Sequence, residues 1–450
     1  MANKRQHIWR FQGVKILLLV IVGWGSISLA GAQENGDTYS LNDLISLALE
    51  NNYDIRVSET NLDISETHNT RANAGMLPSL MFESSLNNSF SDRSGSLSQT
   101  GNIQNGVRLN WVLFNGFSAH VRKDRLETLE ELADGQLSMV VENTIQAVVM
   151  AYYRTLFEQE RLNLFREIMQ LSEDRLNYIK NRVDVGAATS YDTLQARTSY
   201  LSDKAAFLEQ EVQVINRVRE IKYLTGLPEG QDVSLAGELS FEADSYNLSV
   251  LLDQMENNNQ SIRNQYLNLA LIENHKIQQK RSRFPTLSAG AGANHNLQPD
   301  GLNDYQTTNQ YPGDADSYMS YYVNFSLSFN LFDGNRVNRN INIAEMEETI
   351  EETNLEEMKH RLQNRLLNLY DTYRVRRELV QVGRENMRTS RVNMERSEEK
   401  FRNGSINSFN YRDVQLTYLQ ASVNYYRSVL NLVDTHTELV RITGGIVEEF

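Results

Sequence analysis

The chain has 450 residues, a formal net charge of −14 and no cysteine. The absence of cysteine excludes disulfides, thiol nucleophiles, Cys-based metal sites and a lipid anchor on an N-terminal cysteine. The acidic balance argues against general nucleic-acid binding, which requires a basic surface.

The first residues have the pattern of a secretory signal peptide. A basic segment is followed by a purely apolar run at 16–22 and by small residues at 30–32. The basic side chains are Lys4, Arg5, Arg10 and Lys15. The alternative is a membrane anchor, but a spanning helix needs roughly 20 apolar residues. We therefore expect 1–32 to be a cleaved signal, which leaves the remaining chain near −18.

No later segment is long and apolar enough for a transmembrane helix. If the chain crosses a membrane, it must do so as a closed β-barrel, because lipid cannot satisfy the backbone groups of an open sheet. Proline is scarce, with 5 residues, and this leaves room for unusually long helices.

Short motifs recur along the chain at a constant spacing. Three pairs lie 218 positions apart: Leu113-Phe114-Asn115-Gly116 and Leu331-Phe332-Asp333-Gly334, Gly186 and Gly404, and Leu224-Thr225-Gly226 and Ile442-Thr443-Gly444. Two earlier pairs lie 207 positions apart: Asn51-Asn52 and Asn258-Asn259, and Pro78 and Pro285. The difference implies an insertion of 11 residues between Pro285 and Leu331. Such a constant offset indicates two copies of one structural unit.

The duplication defines the expected domains. The first repeat covers 33–226, a linker covers 227–247, the second repeat covers 248–444, and a short tail covers 445–450. Each repeat is predicted to contain a helix, two strands, a long helix, a glycine turn and a shorter return helix.

In the first repeat we predict a helix over 41–76 and a long helix over 117–185. At 1.5 Å per residue, the long helix would reach roughly 100 Å. Gly186 would then reverse the chain, as a C-cap glycine does, into a return helix over 187–225. The return helix is too short to cover the long one. We therefore expect the helices over 41–76 and 187–225 to stack end to end beside it.

The second repeat follows the same order, with a long helix over 335–403, a turn at Gly404 and a return helix over 405–443. Gly135 and Gly383 lie inside the long helices and weaken each one locally by about 1 kcal/mol. The apolar positions of these polar helices are interpreted as the seam of a coiled coil.

Four segments alternate apolar and polar residues, which is typical of strands. They cover 80–90, 103–113, 286–297 and 319–332. Each reaches the ~9–11 residues of a transmembrane strand, although a half-buried soluble sheet shows the same alternation. Membrane barrels need at least about eight strands. Four strands per chain therefore require several copies in a cyclic homo-oligomer.

In the order and spacing of these motifs the chain resembles the TolC-type outer-membrane efflux family. The motifs are Pro78 and Pro285 at the strand entries, Leu-Phe-Asn/Asp-Gly at the strand exits, the tip glycines Gly186 and Gly404, and the Thr-Gly pairs at 225–226 and 443–444. The resemblance implies a homotrimer with a 12-stranded β-barrel in the outer membrane and a periplasmic α-barrel. It also implies docking with a periplasmic adaptor protein and an inner-membrane pump, with no reaction and no cofactor.

The same resemblance places polar constriction residues just after the tip glycines. Asp192 and Asp413 stand where the family has acids, whereas Asn410 stands at a second acidic position and lacks the charge. Ile406 occupies a position that is basic in some members, and Arg402 and Arg412 are the candidate replacements. Three copies of Asp413 around an axis would favour cations. The alternative interpretation is that Asp413 is an ordinary solvated helix residue.

Glu83 and Arg108 lie on the polar sides of two predicted strands and are expected to face a barrel lumen. The loops 91–102 and 298–317 would lie outside the cell, and the acidic loop 298–317 lacks the spacing of a calcium-binding EF-hand.

Two alternatives to an efflux or type I secretion channel remain. A periplasmic coiled-coil scaffold would explain the helices but not the strands. A nonspecific porin would contain many more strands and little helix.

Overall fold

The computed structural model describes residues 37–93, 96–298 and 316–450. The predicted signal peptide and nearly all of the loop 298–317 lie outside the described residues. Long helices form most of the described chain, and the strands form two small sheets. The prediction of a mainly helical, internally duplicated fold is confirmed.

The described part of the first half contains seven elements. They are β1 Asp37–Tyr39, α1 Leu41–Asn51, α2 Tyr53–His68, β2 Ser79–Arg93, β3 Ser96–Phe114, α3 Ser118–Asp184 and α4 Ser190–Thr225. The single helix predicted over 41–76 is wrong, because the chain breaks at Asn52 and α2 ends at His68. The loop predicted over 91–102 is also largely wrong, because 91–93 and 96–102 pair as strands.

The second half repeats this order after a connecting segment. Its elements are β4 Val233–Leu235, α5 Leu248–Asn258, α6 Gln260–Arg281, β5 Thr286–Gln298, β6 Asp316–Ser328, α7 Arg336–Arg402, α8 Ser408–Ile442 and α9 Ile446–Glu449. The strand predicted over 319–332 is too long, because β6 ends at Ser328. Both long helices, α3 and α7, have 67 residues, and neither Gly135 nor Gly383 interrupts them.

The repeated motifs mark how each long helix begins. Gly116 and Gly334 have φ of 67° and 65°, which turns the chain sharply out of the strand. The preceding Asn115 and Asp333 accept hydrogen bonds from backbone N–H groups of the first helical turn. An amide or carboxylate in this place satisfies donors that the helix itself leaves unpaired.

The repeated asparagines form the joints between stacked helices. Asn52 caps α2 by accepting from the backbone of Asp54, and its amide donates to the carbonyl of Leu224 at the end of α4 (3.0 Å). Asn259 caps α6 in the same way and donates to the carbonyl of Ile442 at the end of α8 (2.9 Å). Each return helix therefore ends on the start of a helix from the same repeat, which confirms the expected end-to-end stacking.

This stacking places the helices in one layer with two borders. Next to the strands, α3 packs between α2 and α6, and α7 packs against α6. Toward the glycine turns, α3 packs between α4 and α8, and α7 packs against α8. One border of the layer is thus formed by α2 and α4, and the other is formed by α7.

The largest core lies midway along the layer, where the connecting segment crosses the long helices. β4 pairs in parallel with β1, and the segment that follows is fixed by hydroxyl groups. Tyr152 donates to the carbonyl of Ala236, and Tyr373 donates to that of Asp244 (2.9 Å). Beneath them α1, α3, α7 and α8 bury a shared apolar core. The fully buried members of this core include Leu44, Ile145, Leu366, Leu432 and Leu439.

Candidate functional site

The larger sheet has two faces of opposite chemistry. Its strand order is β2-β3-β5-β6, and all neighbours are antiparallel. The register places Leu80, Phe82, Val107, Leu109 and Ala291 on one face together with Val323, Phe325 and Leu327. This face is apolar yet open, since Phe82 and Phe325 are 68% and 70% exposed. The predicted alternation is therefore confirmed.

The opposite face is polar and contains both predicted lumen residues. The Arg108 guanidinium lies 3.1 Å from the Glu83 carboxylate, and both side chains are about half exposed. Arg108 also hydrogen-bonds the Tyr322 hydroxyl on β6. Because Gly292 has no side chain, the Tyr322 ring can lie over β5 and reach Arg108. Sequence reasoning did not include Tyr322, since its partner lies two strands away.

In the part of the chain that the structure describes, no helix is both long enough and apolar enough to cross a membrane.

Both borders of the helical layer carry exposed apolar stripes. On α4 the stripe recurs at intervals of seven residues and consists of Leu194, Leu201, Leu208 and Ile215, each about half or more exposed. On α2 it consists of Tyr53, Val57 and Ile64. On α7 it consists of Ile343, Met346, Ile350, Val375, Leu379 and Val382. A heptad-like apolar seam on a helix that packs on one side only is typical of a coiled-coil face that awaits a partner.

The tip of the molecule, at the end of the layer away from the sheet, is formed by the two glycine turns. Gly186 and Gly404 have φ of 74° and 78°, in the left-handed region that favours glycine. Asp192 closes a capping box at the start of α4: its carboxylate accepts from the backbone N–H (2.9 Å) and the hydroxyl (2.7 Å) of Thr189. These hydrogen bonds lower the pKa of Asp192. This predicted constriction residue thus also has a local structural role.

Asn410 and Asp413 are one turn apart on the exposed side of α8. The N–H of Asn410 donates to the Asn407 side chain, which caps the helix (2.9 Å). The predicted basic candidates do not join them. Arg402 pairs with Glu398 on its own helix (2.6 Å), and Arg412 turns inward to Asp203. Among the described contacts, neither guanidinium pairs with Asp413.

A buried polar cluster behind the tip is absent from the sequence prediction. Arg412 and Asp203 form a bidentate pair at 2.6 and 2.7 Å, and Ser172 also donates to Asp203. Arg175 is 3% exposed and lies in the same cluster. Its pKa is lowered to about 10 by burial and by the neighbouring Arg412. The partners come from three helices and are far apart in sequence, so no spacing rule could have found them.

Comparison with known proteins gives a consistent result. The family model described as outer membrane efflux protein matches residues 44–227 and 251–445, which is more than half of the chain. The probable efflux pump outer membrane protein TtgC of Pseudomonas putida is 26% identical over 215 residues. That match covers 46% of this chain and 43% of the relative, so it spans less than half the length of the curated protein.

Solved structures show the same fold along nearly the whole chain. The CmeC outer membrane channel of Campylobacter jejuni has a TM-score of 0.73 at 14% identity, and the match covers 95% of this chain and 94% of that one. The outer-membrane channel OprN has a TM-score of 0.72 at 17% identity, and the match covers 90% of both chains. At these identities the likeness establishes the fold.

Proposed function

Since the chain belongs to the outer membrane efflux protein family, we propose that it is the passive exit duct of a tripartite efflux or type I secretion system. In this function it is a channel in the bacterial outer membrane with a periplasmic helical extension, and it catalyses no reaction. The family and the fold support this function over a periplasmic scaffold or a nonspecific porin.

The observation that carries the proposal is that the sheet and the helical layer end at matching borders. β2 follows α2 in the chain and lies at one edge of the sheet. This edge is therefore on the side of the border that α2 and α4 form. β6 leads into α7, so it lies at the other edge, on the side of α7. Within the described sheet, β2 and β6 each pair along one edge only.

These borders are complementary between copies of the chain. If copies stand side by side, β6 of one is antiparallel to β2 of the next, and the α7 stripe faces the α2 and α4 stripes. Such a head-to-tail contact generates a ring when the rotation closes. Closure would pair the open strand edges and bury the apolar seams. Following the family resemblance, we propose three copies, with twelve strands in a membrane barrel and the polar face lining its lumen.

In this arrangement the apolar sheet face contacts outer-membrane lipid, and the Glu83–Arg108 pair lies on the lumen side. The tip points into the periplasm, where we propose that it docks with an adaptor protein and an inner-membrane pump. The energy for export would come from that pump. Opening would require the helices next to Gly186 and Gly404 to move apart.

The proposed constriction at the tip uses the exposed side of α8. Three Asp413 carboxylates around one axis would form a ring that favours cations. Asn410 lies in the same exposed region without a charge, and Asp192 is held by its capping box. Asp413 is therefore the residue that we propose to dominate the constriction.

The test is ion conductance of the purified protein in planar bilayers. We expect discrete channels with a preference for cations, and we expect Asp413→Ala to increase conductance and reduce that preference. Asp124→Ala removes an exposed acid near the sheet end of α3 and serves as the matched control, with no expected change. Absence of channels in a correctly assembled protein would contradict the proposed function. Channels unaffected by Asp413→Ala would contradict the proposed constriction alone.

A further inference from the structure

A buried ion pair joins the tip of α8 to a helix that is not its neighbour. The Arg412 guanidinium on α8 donates to both carboxylate oxygens of Asp203 on α4, at 2.6 and 2.7 Å. The two side chains are only 17% and 10% exposed. A bidentate pair of this kind fixes direction as well as distance, because the planar guanidinium matches the carboxylate at two points.

The pair crosses the helix that lies between its partners. In the half of the layer near the tip, α3 packs between α4 and α8. Ser172 of α3 is fully buried at the crossing point, where it donates to Asp203 and lies 3.2 Å from the Arg412 guanidinium. A small residue at this position leaves room for the long Arg412 side chain to pass. The three helices are therefore held together by one network.

The network meets α8 between its buried side and its exposed side. Tyr411, Gln415 and Tyr418 are buried on the inner side of α8. Asn410 and Asp413 are exposed. Successive residues of an α-helix are separated by about 100° around its axis. Once the direction of Arg412 is fixed toward Asp203, the direction of the adjacent Asp413 is fixed as well.

We propose that Arg412 is a positioning residue of the tip, whose pair with Asp203 sets the rotation of α8 that directs Asp413 into the constriction. The inference rests on the proposed function, because it assigns a role relative to the Asp413 ring. It adds a determinant of selectivity that lies inside the protomer and does not itself touch the exported molecule.

The surroundings of Asp203 decide which variant gives a clear test. Arg175 lies in the same cluster, interacts with Asp203, and reaches the carbonyl of Ser408 at the start of α8. After Arg412→Gln, Asp203 keeps Arg175 as a cation, so the fold is expected to persist. Asp203→Asn would instead leave two buried guanidiniums without their carboxylate, which is strongly destabilising. Arg412→Gln is therefore the variant of choice.

The experiment is a double-mutant cycle between positions 412 and 413 in the full-length protein. The cation-to-anion permeability ratio is measured in planar bilayers for the wild type, Asp413→Asn, Arg412→Gln and the double variant. If Arg412 acts through Asp413, both single variants lose the same factor of cation preference and the double variant loses no more. Arg412→Lys keeps the charge but not the bidentate geometry, and is expected to lose an intermediate factor.

The control is Arg376→Gln, which removes a guanidinium of α7 that pairs with Asp434 of α8 far from the tip (3.4 Å). It should leave the permeability ratio unchanged. A wild-type ratio in Arg412→Gln, or independent losses that multiply in the double variant, would overturn the positioning role. An unchanged permeability ratio in Asp413→Asn would contradict the proposed constriction, and the positioning role of Arg412 would fall with it. Should Arg412→Gln fail to assemble, Arg412→Lys completes the same cycle.

Discussion

Replacement of Gly444 by alanine tests the joint at which α8 ends against α5 and α6. Gly444 has φ of 77°, and a Cβ added there would lie 2.6 Å from the carbonyl oxygen of Asn258 and 2.9 Å from its carbonyl carbon. Gly404 at the tip has nearly the same φ, 78°, but nothing among the described residues lies within 4 Å of the added Cβ. The two sites therefore share the backbone conformation, and Gly444 alone of the two has the close backbone contact.

The structure gives the expected size of the difference. A residue with a Cβ in the left-handed region costs about 1–2 kcal/mol relative to glycine, and both variants incur this cost. Only Gly444→Ala also forces a methyl group against backbone, for which overpacking typically costs about 1–3 kcal/mol. We thus expect Gly444→Ala to be less stable than Gly404→Ala by about 1–3 kcal/mol.

The assay is thermal unfolding of the two purified variants, followed by circular dichroism in the same detergent. Gly444→Ala should unfold at a clearly lower temperature than Gly404→Ala, which should lie just below the wild type. Equal unfolding temperatures would show that α8 does not approach Asn258 closely, and would refute the stacked joint.

Three further predictions follow from other parts of the molecule. Leu208→Glu places a charge in the exposed α4 stripe, where burial of a leucine at an interface contributes about 1 kcal/mol per copy. Native gels should therefore show a smaller fraction of the oligomer. The neighbouring control Glu209→Gln should leave that fraction unchanged. Burial lowers the pKa of His436, and the nearby carboxylates of Glu449 and Asp244 only partly offset this effect. Below about pH 6.5 the unfolded chain therefore binds more protons than the folded chain. Stability should therefore fall as the pH drops below that value, and His436→Gln should flatten this part of a melting-temperature profile. Thr189→Val removes the capping box that holds Asp192 and should lower the stability by about 1 kcal/mol, whereas no loss in a denaturant titration would refute the capping role.

The sequence predicts the structure best where a short motif determines the backbone conformation of its own few residues. The recurring Asn/Asp-Gly turns, the tip glycines and the absence of proline are sufficient to place α3 and α7 within one residue at each end. The break at Asn52 was missed, although asparagine is among the strongest N-cap residues. The Asn-Asn pair is recognisable as a repeat, but the second role of Asn52, as donor to the carbonyl of Leu224 at the end of α4, depends on a partner 172 residues away.

The residue at which a strand ends depends on where its neighbouring strand stops offering hydrogen-bond partners. The alternation of apolar residues continues through Phe329 and Leu331, but the partner strand begins at Thr286, which pairs with Ser328. The preceding Pro285 has no N–H to donate, so the ladder stops there. Conversely, the polar stretch around Ser91 reads as a loop yet forms a strand, because backbone hydrogen bonds require no apolar pattern.

Tertiary contacts explain what the sequence could not give at the tip. Arg402 and Arg412 are both basic and close to Gly404, and only the fold shows that one pairs along its own helix while the other crosses α3. Asp203 and Ser172 have no local signal, since an acid and a serine in a polar helix are ordinary. The constriction candidates Asp192, Asn410 and Asp413 came from the family resemblance and not from physical pattern.

The most direct test of the ring is the mass of the protein extracted from the outer-membrane fraction in a mild detergent. The matching sheet edges and helix stripes predict a closed ring, to which the family resemblance assigns three chains, and heating should dissociate this complex to single chains. A single chain or a dimer, recovered from the soluble periplasmic fraction, would contradict the proposed closed ring.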